Sequence, residues 1–326
     1  MSNTATVLAF DFGASSGRAI RAVYDGQNLT YEEIHRFENV PIEKDGHLCW
    51  DVETLLKEIH TAIQKAGTFD SLGFDTWGVD FGLLDADGHL LANPVHYRDA
   101  RTNGKSEQAA ARMPAEELYA HTGNQIMAIN TLFQLLTLRE QDPELLQKAE
   151  QILFMPDLFA ALLGAEPVCE RSIASTSQML DPRTGQWSRE VLAAYGLNEN
   201  RFAPIVASGT VTGTLANGAK IIAVAGHDTQ CASAAMPCAE GDAEHTVFLS
   251  CGTWSLLGTE LDAPILTADS CQSGLSNELG ANGKINYLKN IIGLWLIQES
   301  RREYKRRGQA YSCLLYTSPS PRDMRR

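Results

Sequence analysis

The spacing of apolar residues along the chain predicts a mixed α/β protein. Near the N-terminus, short apolar runs separated by turn residues predict three consecutive strands, over residues 7–10, 19–24 and 29–37. Apolar residues then recur at helical spacing after Asp51, which predicts a helix capped by that residue and ending at Lys65. A fourth strand is predicted over residues 71–75. Three strands, a helix and another strand indicate a mixed sheet covered by helices.

The pattern of the second half of the chain predicts a helical insertion, followed by a strand–turn–strand unit like the one near the N-terminus. Residues 105–195 are mostly helical by pattern, and residues 221–225 predict a short buried strand before a helix that starts near Gln230. Two strands over residues 247–250 and 254–259 flank a tight turn, as the first two strands do, which suggests a second domain built like the first. A long helix is predicted over residues 290–307.

Length and composition narrow the class of protein. The 326 residues exceed the roughly 250–300 that one core usually supports, so two domains, or one and a half, are expected. The chain is 44% hydrophobic and 21% charged, which is typical of globular proteins. Its net charge is −13, and the charge is uneven, because residues 301–326 hold eight basic and two acidic residues. This distribution does not indicate a nucleic-acid-binding surface.

The sequence also indicates a cytoplasmic protein. Its longest apolar stretches, 152–163 and 291–297, are much shorter than the roughly 20 residues of a membrane span, and no membrane partner is expected. The first six residues run directly into a strand, which leaves no room for a signal peptide. The seven cysteines are scattered without a C-x-x-C pair, so neither a disulfide framework nor a thiolate zinc site is predicted.

A first candidate motif is Asp-Phe-Gly-Ala-Ser-Ser-Gly-Arg at residues 11–18, directly after a predicted buried strand. A glycine-rich turn exposes backbone N–H groups that bind phosphate oxygens, and Asp11 could hold a metal ion through water. A plain hairpin turn is the alternative. The motif also matches the hydrolase pattern G-x-S-x-G, but that pattern requires a following helix, and here a strand follows.

Two further motifs lie at predicted strand ends. Gly-His-Asp-Thr at residues 226–229 presents a carboxylate that could accept a proton from a sugar hydroxyl, or could simply cap the next helix. A metal role for His227 lacks a second His or Cys at ligand spacing. Asp-Thr-Trp-Gly-Val-Asp at residues 75–80 combines an aromatic ring, a glycine and two acids, a combination that suits a sugar, although a buried tryptophan with solvated acids is the alternative.

Together these segments resemble the FGGY family of carbohydrate kinases, and within it the members that phosphorylate L-rhamnulose. The resemblance rests on residues 11–18, 74–85, 95–102, 225–229, 250–255 and 289–298, which occur in the family's order. It implies an actin/hexokinase-like (ribonuclease H-like) two-domain α/β fold and transfer of a phosphoryl group from ATP, with Mg²⁺, to O1 of L-rhamnulose. L-Fuculose, L-xylulose or another ketose remain open as substrates.

The resemblance also implies roles for individual residues. Asp228 matches the catalytic base, and Asp11 matches the magnesium anchor. The implied ATP-binding residues are Ala14, Ser15, Ser16, Gly17, Arg18, Thr253 and Gln298. The implied sugar-binding residues are Gly78, Asp80, His227, Asp228, Thr229 and Asn290.

The end of the chain departs from the family pattern. The resemblance stops near residue 311 and is followed by a Ser-Pro-Ser-Pro segment, so residues 312–326 are predicted to be a non-native, unstructured tail. We therefore predict a sugar- and phosphate-binding domain over residues 1–243 and an incomplete nucleotide-side domain over residues 244–311. A sugar-binding chain without turnover is an alternative, and an incomplete second sheet is expected to leave apolar edges exposed. The oligomeric state is open.

Overall fold

The computed structural model describes residues 4–239, 242 and 245–309. The predicted tail at 312–326 and the predicted boundary at 243/244 lie outside these residues. The strands of the first lobe are β1 (Ala5–Phe12), β2 (Ser16–Tyr24), β3 (Leu29–Glu38), β4 (Ile42–Lys44), β5 (His47–Cys49), β6 (Ser71–Thr76), β7 (Phe81–Leu84), β8 (Gln151–Phe154), β9 (Cys169–Glu170), β10 (Leu180–Asp181), β11 (Gln186–Trp187), β12 (Ile205–Val206), β13 (Thr210–Thr214) and β14 (Lys220–Ala223).

The first lobe also contains helices. They are α1 (Val52–Ala66), α2 (Lys105–Ala109), α3 (Ala115–Thr122), α4 (Thr131–Gln141), α5 (Pro143–Lys148), α6 (Met155–Leu162), α7 (Arg171–Ala174), α8 (Arg189–Tyr195) and α9 (Asp228–Ala234). The second lobe contains β15 (Val247–Cys251), β16 (Trp254–Leu261), α10 (Ala268–Gln272), β17 (Ser276–Leu279), β18 (Ile285–Ile292) and α11 (Trp295–Arg306).

The main sheet of the first lobe has the order β13-β14-β6-β1-β2-β3. As predicted, β1, β2 and β3 form an antiparallel meander, and β6 returns parallel to β1. The predicted cap of α1 is also confirmed, because the Asp51 side chain accepts a hydrogen bond from Thr54 N at 3.1 Å. The parallel arrangement brings the carboxyl ends of β1, β6 and β14 to one edge of the sheet, where functional groups of such sheets usually lie.

Aromatic rings fill the core between this sheet and α6. Phe10 stacks on Phe74 and Phe12 on Phe159, with ring centroids 4.8 Å apart in both pairs. These rings alternate with the polar residue Asp11 along β1, since successive side chains of a strand point to opposite faces. Packing of the aromatic rings therefore holds the sheet against α6, and Asp11 lies near the carboxyl end of β1.

The second lobe is an antiparallel sheet of order β15-β16-β18-β17. The predicted helix over residues 290–307 is wrong in its first part. Residues 290–292 continue β18, whose Asn290 lies opposite Leu256 of β16, and the helix starts only at Trp295. Pairing along eight positions of β16 outweighs the local helical pattern. As expected, this sheet leaves apolar residues exposed, among them Val247 and Leu249 of β15.

The helical block predicted between residues 105 and 195 is confirmed for the segments that form α2 to α6 and α8. It also contains a strand that the pattern did not indicate, β8, which pairs antiparallel with β7. No helix within the described part of the chain is long and apolar enough to cross a membrane.

Candidate active site

A cleft of about 660 Å³ lies between the two lobes. Its lining includes the turn between β1 and β2, the loop after β6, the start of α9, and the turn between β15 and β16. Most of the sequence-predicted site residues meet there: Asp11, Ala14, Ser15, Ser16, Arg18, Gly78, His227, Asp228, Thr229, Thr253, Asn290 and Gln298. Gly17 and Asp80 are the two predicted residues that do not line this cleft.

The turn between β1 and β2 is held in a fixed shape by the backbone. Gly13 N donates to Ser16 O at 2.9 Å, and the Asn39 side chain donates to Gly13 O at 2.9 Å. Gly17 lies just behind the turn, where a Cβ atom would stand 2.2 Å from the Phe37 ring. The structure therefore shows Gly17 packed against Phe37, and its contact with ATP stays a prediction.

The turn between β15 and β16 lies on the opposite lobe, in the second strand–turn–strand unit that the sequence predicted. It is tighter than the first turn, because Gly252 N donates to Trp254 O, two residues on, at 2.8 Å. Thr253 follows in the turn, and its hydroxyl donates to Gln298 Oε1 of α11 at 3.3 Å. Each lobe thus contributes a glycine-containing turn to the lining of the cleft.

Three carboxylates gather at the carboxyl edge of the main sheet. Asp11 and Asp75 lie opposite each other on the parallel strands β1 and β6, and Asp228 begins α9. Asp11 is ion-paired with Arg18 at 2.5 Å. Burial raises the pKa of Asp75 well above its usual value, and the charges of Asp11 and Asp228 raise it further. This edge of the cleft therefore favours a cation.

Asp228 and His227 form a buried ionic group with Glu278 of β17. The His227 Nδ1 atom lies 2.8 Å from Glu278 Oε2, and Nε2 lies 3.5 Å from Asp228 Oδ1. Burial raises the pKa of Asp228, and the charge of His227 counteracts this effect. The Asp228 side chain is 39% exposed toward the cleft and lies beside the buried ring of His227.

A second buried acid, Glu170, holds the loop that carries these residues. Its Oε2 atom accepts hydrogen bonds from Gly226 N at 2.9 Å and from Ser172 N at 2.8 Å. Its Oε1 atom accepts one from the Ser208 hydroxyl at 2.5 Å. Because Gly226 directly precedes His227, the Glu170 carboxylate fixes the backbone from which the histidine and Asp228 project.

The loop after β6 contains, next to Gly78, a strained residue that the sequence did not reveal. Val79 has a φ of +68°, which is a rare conformation for a β-branched residue. Its N–H donates to the Thr176 hydroxyl at 3.1 Å, and its carbonyl accepts from the Thr131 hydroxyl at 2.7 Å. These bonds hold a conformation that costs of order 1–3 kcal/mol, and such strain concentrates at functional sites.

Asp80 follows Val79 and is fully buried. Its Oδ2 atom accepts hydrogen bonds from the Trp50 and Trp77 indoles at 2.7 and 3.0 Å, and Oδ1 accepts one from Gln134 at 3.0 Å. Burial raises its pKa to about 6 against these hydrogen bonds. The prediction that Asp80 contacts the sugar is not supported by this position, because the carboxylate is enclosed by the groups that it orients.

His96 belongs to the same buried layer and predicts a measurable pH effect. Its ring stacks on Trp50 with centroids 4.2 Å apart, and its Nδ1 accepts a hydrogen bond from Arg98 N at 2.9 Å. Burial, together with the charges of Arg98 and Arg302, lowers its pKa from 6.5 to about 3. The unfolded chain therefore binds a proton that the folded chain excludes, and this contribution to stability is lost as the pH falls from 6.5 toward 3.

We expect His96→Gln to remove this dependence, which amounts to about 1.4 kcal/mol per pH unit. The raised pKa of Asp80 acts in the opposite direction between about 3.8 and 6. The effect is therefore measured as the difference between parent and variant in urea unfolding at several pH values. His60→Gln, on the exposed face of α1, is the control. A constant difference between parent and His96→Gln across this range would contradict the neutral state of His96.

Arg98 links the two lobes across the cleft. Its guanidinium lies 5.4 Å from the ring centroid of Trp254 and 4.9 Å from that of Trp295, both of the second lobe. Such cation–π contacts stabilise by about 0.5–2 kcal/mol each. Asn290 makes a further contact between the lobes, since its amide donates to Gln125 Oε1 at 3.4 Å.

Sequence reasoning missed Glu170, Glu278, Val79 and Arg98. Glu278 stands in the run Ser-Asn-Glu-Leu, all of which is buried in β17, a strand that the sequence did not predict. Glu170 offers no local signal either, because its partners lie up to 56 positions away in the sequence.

Two sheets with matching strand–turn–strand units around a shared cleft define the class of the actin/hexokinase-like two-domain proteins. Solved structures with this fold include gluconate kinase from Lactobacillus acidophilus, with a TM-score of 0.76 and 17% identity over 98% of this chain and 65% of that one. Glycerol kinase from Plasmodium falciparum with ADP has a TM-score of 0.70 and 17% identity over 90% of this chain and 63% of that one. At these identities the likeness establishes the fold.

The chain belongs to the FGGY family of carbohydrate kinases. The model of the family's N-terminal domain matches residues 6–234, and that of its C-terminal domain matches residues 247–322. The rhamnulokinase of Bacteroides thetaiotaomicron is 42% identical over 307 residues, which are 90% of this chain and 63% of that protein. The rhamnulokinase of Halalkalibacterium halodurans is 40% identical over 92% of this chain and 66% of that protein. The chain thus spans slightly less than two thirds of the length of these relatives.

Proposed function

We propose that this chain carries the phosphoryl-transfer site of a kinase that uses ATP to phosphorylate L-rhamnulose at O1, with Asp228 as the general base. The observation that carries the proposal is the position of the Asp228 carboxylate, in one cleft with the turn of Gly13 to Ser16 and beside the cation His227. The names of the relatives at about 40% identity support L-rhamnulose as the sugar.

The residues of the chain supply positioning and proton transfer. Asp228 accepts the proton of the C1 hydroxyl of the sugar. The C1 oxygen then attacks the terminal phosphorus of ATP, and ADP leaves. The hydroxyls of Ser15 and Ser16, with Arg18, offer donors to phosphate oxygens, and Thr253 with Gln298 forms the nucleotide side. Gly78, Thr229 and Asn290 line the part of the cleft that we assign to the sugar.

The carboxylate edge fits a magnesium ion. The Asp11 carboxylate lines the cleft and is partly exposed there. Oxygen ligands of this kind suit Mg²⁺, which keeps several water molecules and neutralises phosphate charge during transfer. Asp11 would hold the ion directly or through water, and Arg18 would then be released toward the phosphates.

The proposal is tested by ADP release from this chain with MgATP and a panel of L-rhamnulose, L-fuculose and L-xylulose. We expect turnover to be fastest with L-rhamnulose. Equal rates on all three sugars would overturn the choice of L-rhamnulose, and a faster rate on another ketose would reassign the substrate. If no sugar is turned over, melting temperatures measured with each ligand identify the alternative. A shift with L-rhamnulose and none with ATP would support sugar binding without phosphoryl transfer.

A further inference from the structure

The surroundings of His227 show which form of its ring the site holds. Carboxylate oxygens lie at both ring nitrogens, Glu278 Oε2 at 2.8 Å from Nδ1 and Asp228 Oδ1 at 3.5 Å from Nε2. A neutral imidazole carries one N–H, and only the imidazolium presents a proton to both acids. The residue is only 8% exposed, where it lines the cleft. The geometry therefore favours the cation.

Glu278 is placed to hold that ring. It comes from the second lobe and is 4% exposed, whereas His227 belongs to the first lobe. Its Oε2 atom also accepts a hydrogen bond from the buried Gln230 amide at 2.8 Å. The next residue, Leu279, donates its N–H to the Ser175 hydroxyl of the first lobe at 3.0 Å. Strand β17 is thus held to the first lobe at the point where the Glu278 carboxylate contacts His227.

We propose that Glu278 is a positioning residue of the phosphoryl-transfer site, which holds His227 as an imidazolium with its Nε2 side toward the carboxylate of Asp228. The inference rests on the proposed function, in which Asp228 is the base. Although the Asp228 side chain is 39% exposed toward the cleft, burial raises its pKa, so the carboxylate tends to take up a proton. A fixed cation beside it keeps the carboxylate ionised, which is the form that can accept a proton.

The electrostatics of the group agree with this geometry. Burial lowers the pKa of His227, but the charge and hydrogen bond of Glu278 and the charges of Asp228 and Asp75 raise it overall to about 9. The charged groups that face the ring are therefore Glu278 from β17, Asp228 from α9 and Asp75 from β6. Because this pKa is raised on folding, the associated stability is complete below about pH 6.5 and is lost as the pH rises through about 9.

The test is Glu278→Gln in the full chain, which keeps the size of the side chain and removes its charge. The Cε1–H signal of His227 is followed by NMR from pH 5 to 10 and assigned by its absence in His227→Gln. We expect a midpoint near 9 in the parent and a fall of at least about two pH units in Glu278→Gln, since one unit corresponds to a tenfold change in proton affinity. The matched control is Glu58→Gln, which removes the acid 2.6 Å from His35 on the first lobe and leaves the His227 midpoint unchanged.

The outcomes separate this inference from the proposed function. A parent midpoint at or below 6.5 overturns it without any variant, and so does an equal midpoint in the parent and Glu278→Gln. In the ADP-release assay we expect kcat of Glu278→Gln to fall between pH 7 and 9, where the parent keeps its rate, while KM for the sugar changes less. If neither chain turns over any sugar but the midpoint shifts as expected, the proposed function fails and the coupling of Glu278 to His227 stands.

Discussion

Replacing Asp228 with asparagine is expected to lower kcat by about 10²–10⁴-fold, the usual contribution of a general base. Asparagine keeps the shape of the side chain and can still accept the hydrogen bond that Thr229 N donates to Asp228 Oδ1 at 2.6 Å. It cannot take a proton from a sugar hydroxyl at neutral pH. The measurement is ADP release with MgATP and L-rhamnulose.

Binding of the sugar should survive this substitution, because the lining residues Gly78, Thr229 and Asn290 are unchanged. The melting shift produced by L-rhamnulose is therefore expected to be similar in parent and Asp228→Asn. Asp87→Asn, on an exposed turn, is the matched control and should keep the parent rate. Turnover of Asp228→Asn within about threefold of the parent would overturn the assignment of the base.

The largest expected effect on stability comes from Glu170→Ala. The Glu170 carboxylate is 1% exposed, and removing it leaves buried donors unpaired at Gly226, Ser172 and Ser208. Each unpaired buried donor costs about 1–3 kcal/mol, and partial rehydration recovers some of that cost. We expect the free energy of unfolding in urea to fall by about 3–5 kcal/mol.

The matched control for this measurement is Glu166→Ala, four positions earlier and exposed to solvent. Surface substitutions of this kind usually change stability by less than about 0.5 kcal/mol. A loss below about 1 kcal/mol in Glu170→Ala would show that water replaces the carboxylate at little cost. It would also remove the argument that Glu170 fixes the loop before His227.

The residues that the sequence could predict are those whose role is set by local chain geometry. The turn after β1 and the turn after β15 each need a glycine and hydroxyl residues within a few positions, so the pattern near Gly13 and Gly252 is visible in one dimension. Asp228 follows a short apolar strand and is visible for the same reason. The enclosure of Asp80 by Trp50, Trp77 and Gln134 could not be predicted, because two of these partners lie 30 and 54 positions away in the chain.

By itself, the sequence determined the meander, the amphipathic helix after Asp51, the repeated turn and the positions of Asp11 and Asp228, because these depend on contacts between near neighbours in the chain. Only the tertiary structure decided that Asn290 lies in a strand, since its partner Leu256 is supplied by β16. It alone also brought Glu278 to His227, across 51 positions of sequence. A buried ion pair depends on where two lobes meet, and no local pattern of residues encodes that distance.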